Sequence, residues 1–157
     1  MNYVKEILNN LNILNEILDE IGTSRLLLNN DFSVDEMSME DWLKINVKQN
    51  GRNRIPLSFT FTMTGLEISL DRIGEAIDWN NEQLERSGRM IKTVLKNLLV
   101  SHILVEHYGS SRTQISLFGQ DGTCTNNFKY REGFFLKGKR EDKLYFPIYS
   151  LGNNEII

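Results

Sequence analysis

The chain has 157 residues, of which 40% are hydrophobic and 25% are charged, and it carries a formal net charge of −3. This is a typical globular composition, so we expect a single domain, 1–157, around one core. The chain contains no run of eighteen apolar residues, and its first twenty residues are rich in charge. We therefore expect no membrane span, no signal peptide and a cytoplasmic location.

The charge is unevenly distributed along the chain. Residues 1–42 carry two basic and nine acidic side chains, a balance of −7, whereas residues 112–145 carry seven basic and four acidic ones, a balance of +3. Such polarity can steer a charged partner, but two ordinary solvated faces give the same pattern.

The N-terminal part of the chain has a helical pattern. Apolar residues recur with helical spacing over about 2–21, which predicts an amphipathic helix of about five turns, and Gly22 ends it. The next twenty residues mix asparagines and carboxylates with a few apolar side chains. We interpret them as a connector with one helical turn, held to the core by its apolar residues.

Alternating apolar and polar residues then predict strands. The alternation is clearest over 57–63 and is also present in 43–48 and 66–70. Asn50-Gly51 is typical of a hairpin turn between the first two of these strands. Residues 73–79 show too weak a pattern to define a state, and we expect a short turn or helical piece.

The central prediction is one long helix over about 81–108. Its apolar residues recur with helical spacing, Asn80 and Gln83 match a capping box at its start, and Gly109 is a suitable C-terminal residue. Gly88 is a weak point, because glycine inside a helix costs about 1 kcal/mol relative to alanine.

After this helix the sequence predicts a meander of short strands. The strands are expected at 113–118, 123–130, 134–137 and 144–148, and 139–142 is a charged tip. The predicted fold class is therefore α+β, because no strand-helix-strand repeat occurs. We expect an antiparallel sheet of about six to seven strands packed against the long helix.

The residue types that carry catalysis or bind metals do not form a recognisable set. His102 and His107 are five residues apart, about 140° around the predicted helix, and so cannot share a metal ion. Cys124 has no histidine nearby, and a single cysteine excludes a disulfide within the chain. The paired carboxylates lack calcium-loop spacing, and no glycine-rich phosphate loop occurs. We expect no catalytic residue, no metal and no cofactor.

The acidic segment provides the leading functional hypothesis, a non-enzymatic protein-protein interaction module that binds a basic partner. Aromatic and apolar anchors among carboxylates resemble interface hot spots. One version is an immunity or inhibitor protein whose carboxylates imitate nucleic-acid phosphates and block a basic toxin or nuclease. The candidate residues are Asp31, Phe32, Asp35, Glu36, Met39, Glu40, Asp41 and Trp42.

Two alternatives remain open. The C-terminal meander interleaves aromatic with basic residues, as a sheet that binds single-stranded RNA would, although the aromatics could equally face the helix. The chain could also be an enzyme whose site is assembled from distant residues. The sequence does not indicate an oligomeric state. The candidate RNA-binding residues are Lys129, Arg131, Lys137, Lys139, Arg140 and Lys143.

Overall fold

The computed structural model describes residues 1–109, 111–131 and 139–151. These residues form helices and antiparallel strands, which confirms the α+β class. The strands form two sheets, of five and four strands, instead of the single sheet that the sequence predicted. The chain divides into two compact units, Met1–Leu95 and Lys96–Ile157. The expectation of a single domain stays a prediction.

The first unit consists of an N-terminal helix and a five-stranded meander in which each strand pairs with the next. A short 3₁₀ turn, Leu26–Leu28, follows the first helix. The elements are α1 (Lys5–Ile21), β1 (Phe32–Val34), β2 (Trp42–Val47), β3 (Leu57–Thr62), β4 (Gly65–Leu70), β5 (Ile73–Asn80), α2 (Asn81–Arg86) and the start of α3 (Gly88–Val100).

Helix α1 confirms the predicted amphipathic helix, and it packs against β3 and β4. It begins at Lys5 because Val4 has an extended backbone, and it ends where the Gly22 N–H donates to the carbonyls of Leu18 and Asp19. The apolar side chains that it buries are Ile7, Leu11, Leu14, Ile17 and Leu18. The helix therefore supplies one layer of the core of the first unit.

The alternation in the sequence matches the register of this sheet. Ile45, Phe59, Ile68 and Ile77 are paired in turn across β2 to β5, so they form one buried row. The predicted hairpin turn between β2 and β3 is also confirmed at Asn50-Gly51. Both of these residues have positive φ, 46° and 71°, as a type I′ turn requires.

The second unit is built on a sheet in the order β8-β7-β6-β9. Its strands are β6 (His102–Tyr108), β7 (Arg112–Phe118), β8 (Cys124–Arg131) and β9 (Arg140–Tyr145). One face carries the buried apolar side chains of the strands, and all neighbouring strands are antiparallel. The predicted strand at 134–137 lies outside the described residues.

The prediction of one long helix over 81–108 is wrong for the second half of that segment. The segment contains α2, α3 and then β6. Its start is as predicted, because Asn80 Oδ1 accepts from the Gln83 N–H at 2.8 Å and Gln83 Oε1 accepts from the Asn80 N–H at 2.9 Å. The break between the two helices falls at Ser87, next to the glycine that the sequence marked as weak.

Residues 102–108 form a strand because they pair with strands on both sides, and this pairing overrides the helical pattern. Apolar residues occur on both faces of β6, and such a short apolar run does not distinguish a helix from a strand. Gly109, with φ 64°, turns a hairpin and does not end a helix. Residues 73–79 also differ from the expectation, since they form most of β5.

Replacing Leu98 with alanine should lower the free energy of unfolding by about 2 to 5 kcal/mol, because its side chain on α3 is fully buried. Urea denaturation measures the loss. Met90→Ala, at an exposed position of the same helix, is the control and should change stability by no more than about 0.5 kcal/mol. A loss below about 1 kcal/mol for Leu98→Ala would contradict its place in the core.

Candidate functional site

The segment between β1 and β2 forms a tight hairpin with an acidic tip. Met39 and Trp42 exchange backbone hydrogen bonds, with N···O distances of 2.7 and 3.2 Å. Glu40 and Asp41 are therefore the two residues at the tip, and both are exposed. Residues 35–42 are called the acidic hairpin below. The helical turn expected in the connector after Gly22 is confirmed, but it lies before this hairpin, as the 3₁₀ turn Leu26–Leu28. Strand β1, in the same connector, was not predicted.

Asp35 orders the base of the acidic hairpin. Its carboxylate accepts a hydrogen bond from the Met37 N–H at 2.9 Å and one from Asn46 Nδ2 at 3.3 Å. The backbone N–H of Asp35 donates to the carbonyl of Lys44 at 2.8 Å. The Met37 N–H is the main cause that holds the pKa of Asp35 below its usual range, so this carboxylate is ionised at neutral pH.

Exposed apolar side chains lie among the carboxylates of the hairpin. Met37 and Met39 are 73% and 63% exposed, and Val34, at the end of β1, is 44% exposed. Trp42 is half-buried. The surrounding exposed acids are Glu36, Glu40 and Asp41. Apolar groups ringed by charge form a surface that is suited to binding another protein.

Asp31 and Phe32 have structural surroundings that differ from those of the hairpin. Phe32 is buried, with its ring centroid 6.2 Å from that of Phe59, so it belongs to the core and is not an exposed anchor. Asp31 accepts a hydrogen bond at 2.9 Å from Arg54, whose side chain is only 2% exposed, and Arg54 also donates to the carbonyl of Lys48. The structure thus groups the other six candidate residues within the hairpin.

The candidate RNA-binding residues divide between the two faces of the second sheet. Lys129 and Arg131 on β8 and Arg140 on β9 share the face opposite the buried apolar side chains, as their register with β6 and β7 requires. Arg140 donates to Glu106 at 2.6 Å and to Asp142 at 2.9 Å.

Of the remaining basic candidates, only Lys143 has a face assigned by strand pairing. Lys143 pairs with Val105 and so belongs to the opposite face, on an edge strand. Lys139 is exposed just before β9. Lys137 lies outside the described residues. The sequence pattern could not separate these groups, because the faces depend on the strand register.

The histidines and the cysteine have ordinary surroundings. His107 is buried, with Nδ1 3.0 Å from the hydroxyl of Thr113, whereas His102 lies on the other face of β6. Exposed Cys124 contacts the carbonyl oxygen of Asn126 through Sγ at 3.4 Å. Within the described residues, no group of three or more His, Cys, Asp or Glu side chains could hold a metal ion.

A groove between α1 and α2 is a further concave feature of the first unit. It has a volume of about 440 Å³. At its floor, Asn10 Nδ2 donates to Asn81 Oδ1 at 2.8 Å, and Asn81 Nδ2 in turn donates to the carbonyl of Met63. Both amides therefore serve to join the helices to the sheet.

Comparison of the chain with family models, with curated proteins and with solved structures gave no match. Among the described residues, no helix is both long enough and apolar enough to cross a membrane. Arguments about function therefore rest on the geometry and chemistry of the surfaces described above.

Asp31→Ala should lower the free energy of unfolding by about 1 to 3 kcal/mol, because it leaves the buried Arg54 guanidinium without its carboxylate. Glu36→Ala, at an exposed acid of the hairpin, is the matched control and should change stability by no more than about 0.5 kcal/mol. Denaturant unfolding of both variants measures the difference. Equal effects would show that Asp31 has no structural role.

Proposed function

We propose that the chain is a non-enzymatic protein-binding module whose acidic hairpin binds a basic surface of another protein. The observation that carries the proposal is the combination of exposed methionines, a half-buried tryptophan and exposed carboxylates on one ordered hairpin.

The hairpin combines adaptable and rigid binding groups. Met37 and Met39 have flexible, polarisable side chains that fit irregular surfaces, and Trp42 supplies a large area with few rotatable bonds. The hydrogen bonds of Asp35 and the paired backbone of Met39 and Trp42 hold the loop before any partner arrives. This order lowers the entropic cost of association.

The charge of the hairpin supports a basic partner. No lysine or arginine occurs between residues 26 and 43, so the carboxylates of the hairpin have no basic neighbour in that stretch of sequence. Exposed like charges raise the rate at which an oppositely charged partner associates. A basic toxin or nuclease in the cytoplasm, blocked by an immunity or inhibitor protein, is the specific form of the proposal, because its phosphate-binding surface would accept these carboxylates.

Affinity capture tests the proposal and identifies the partner. Immobilised wild-type chain and a reversed chain carrying Glu36→Lys, Glu40→Lys and Asp41→Lys are incubated with cytosol from the source cells, and mass spectrometry identifies the retained proteins. We expect a protein with a basic surface on the wild-type chain and not on the reversed chain. Identical sets of proteins on both chains would contradict the proposal.

With the purified partner, the reversed chain should associate at least about tenfold more slowly at low salt, with a weaker dependence on salt. Its melting temperature should be unchanged, because exposed charges contribute little to stability. Stopped-flow measurements give the rates. The control makes the same change in net charge at exposed acids elsewhere, Glu75→Lys, Asp78→Lys and Glu85→Lys. Equal association rates for the two variants would contradict a role of the hairpin.

If Trp42 is an anchor of the interface, Trp42→Ala should raise the dissociation rate and weaken the free energy of binding by about 2 kcal/mol or more. Trp79→Ala, at another half-buried tryptophan of the first unit, is the control and should lower the melting temperature without changing the dissociation rate. Surface plasmon resonance and thermal unfolding measure the two properties. A lower melting temperature with unchanged dissociation for Trp42→Ala would place this residue in the core only.

A further inference from the structure

The exposed face of the second sheet carries ordered rows of side chains that run across its strands. The register places Arg131, Arg112, Tyr108 and Arg140 side by side on β8, β7, β6 and β9. This set is called the cationic row. Because neighbouring strands lie about 4.8 Å apart, the row crosses the whole sheet within about 15 Å.

The cationic row contains two guanidinium groups that no carboxylate neutralises among the described residues. Arg112 and Arg131 are direct cross-strand neighbours, and like charges in that position destabilise a sheet. Arg112 lies 5.2 Å from the ring centroid of Tyr108, whereas Arg140 is paired with Glu106 and Asp142. The Arg112–Arg131 pair is therefore the part of the row that is suited to an anion from outside.

The opposite end of the same face is aromatic. His102 pairs with Phe118 across β6 and β7, and its ring lies edge-on to Phe146 with a centroid distance of 5.6 Å. Phe146 and its neighbour Leu144 are 57% and 50% exposed. His102 at this end and Tyr108 in the cationic row are six positions apart along β6, which corresponds to about 20 Å.

We infer that this face binds single-stranded nucleic acid, with phosphates at the Arg112–Arg131 pair and bases against the exposed aromatic end. The inference goes beyond the proposed function, because it concerns a different surface in the other compact unit. Guanidinium groups match the geometry of phosphate, and aromatic rings stack on any base. A face about 20 Å long accommodates a few nucleotides, as sheets that stack two or three bases do.

The chemistry of the face favours a single strand over other polyanions. A duplex presents phosphates but buries the faces of its bases, so it could contact the cationic row without using Phe146 or His102. Inorganic polyphosphate has no bases. Only a single strand supplies both a phosphate for the arginine pair and an unstacked base for the aromatic end.

Fluorescence anisotropy with a labelled oligouridylate of about ten nucleotides tests the inference, with the oligothymidylate as a second probe. We expect binding at about 50 mM salt that weakens as salt rises. Arg112→Gln with Arg131→Gln should weaken it at least tenfold and reduce the slope of log K against log salt by about 0.7 for each arginine removed. The matched control, Lys139→Gln with Lys143→Gln, removes exposed Lys143 on the opposite face and exposed Lys139 before β9, and it should retain most of the affinity.

A second pair of variants tests the aromatic end. Phe146→Leu should weaken binding at least about fivefold, whereas Phe146→Tyr should preserve it, because stacking needs the ring. Circular dichroism checks that each variant is folded. No binding at about 50 mM salt would overturn the inference. Affinity for inorganic polyphosphate or for a duplex of the same length that equals the affinity for the single strand would also overturn the inference. An equal loss of affinity in the double arginine variant and in the double lysine control would overturn it as well.

Discussion

The pairing of β6 with a strand on each side is the constraint on which the second unit depends. Its residues are hydrogen-bonded to β7 along one edge and to β9 along the other. Because side chains alternate along a strand, this register decides which residues lie on the apolar face of the sheet and which lie on the opposite face. Val105 faces the core, while Tyr108 and His102 face solvent in the company of Arg112 and Phe118. A shift by one residue would exchange the two faces.

In the first unit, polar contacts help to fix the position of β1 and of the acidic hairpin that follows it. Strand β1 has only three residues, yet the acidic hairpin that follows it is ordered. Arg54 contacts Asp31 before β1 and the carbonyl of Lys48 after β2, which joins the two strands at the end of the pair farther from the acidic hairpin. Asp35 then fixes the turn itself. Such contacts matter because a buried charge that loses its partner is costly.

The acidic hairpin and the sheet face that carries the cationic row have opposite charge, but both combine charged with apolar side chains. The acidic hairpin sets carboxylates around methionines, and the cationic row shares its sheet face with exposed aromatic and aliphatic side chains. Electrostatic attraction between exposed charges extends over about 8 Å at physiological salt, so it acts only on a molecule that is already close. Apolar side chains instead supply area that is removed from water on contact. Each proposed surface therefore combines charge with apolar contact area within a single compact unit.

The sequence by itself determined the amphipathic helix α1, the hairpin turn at Asn50-Gly51, the capping box at Asn80 and the α+β class, because each depends on local periodicity or local hydrogen bonds. It also marked residues 31–42 as acidic and apolar. Tertiary structure alone decided that residues 102–108 form a central strand, since this required partners distant in sequence. The tertiary structure also decided that Phe32 is buried and that Lys143 lies on the opposite face from Lys129, Arg131 and Arg140. Burial and the face on which a side chain lies depend on the register between strands, which no local pattern specifies.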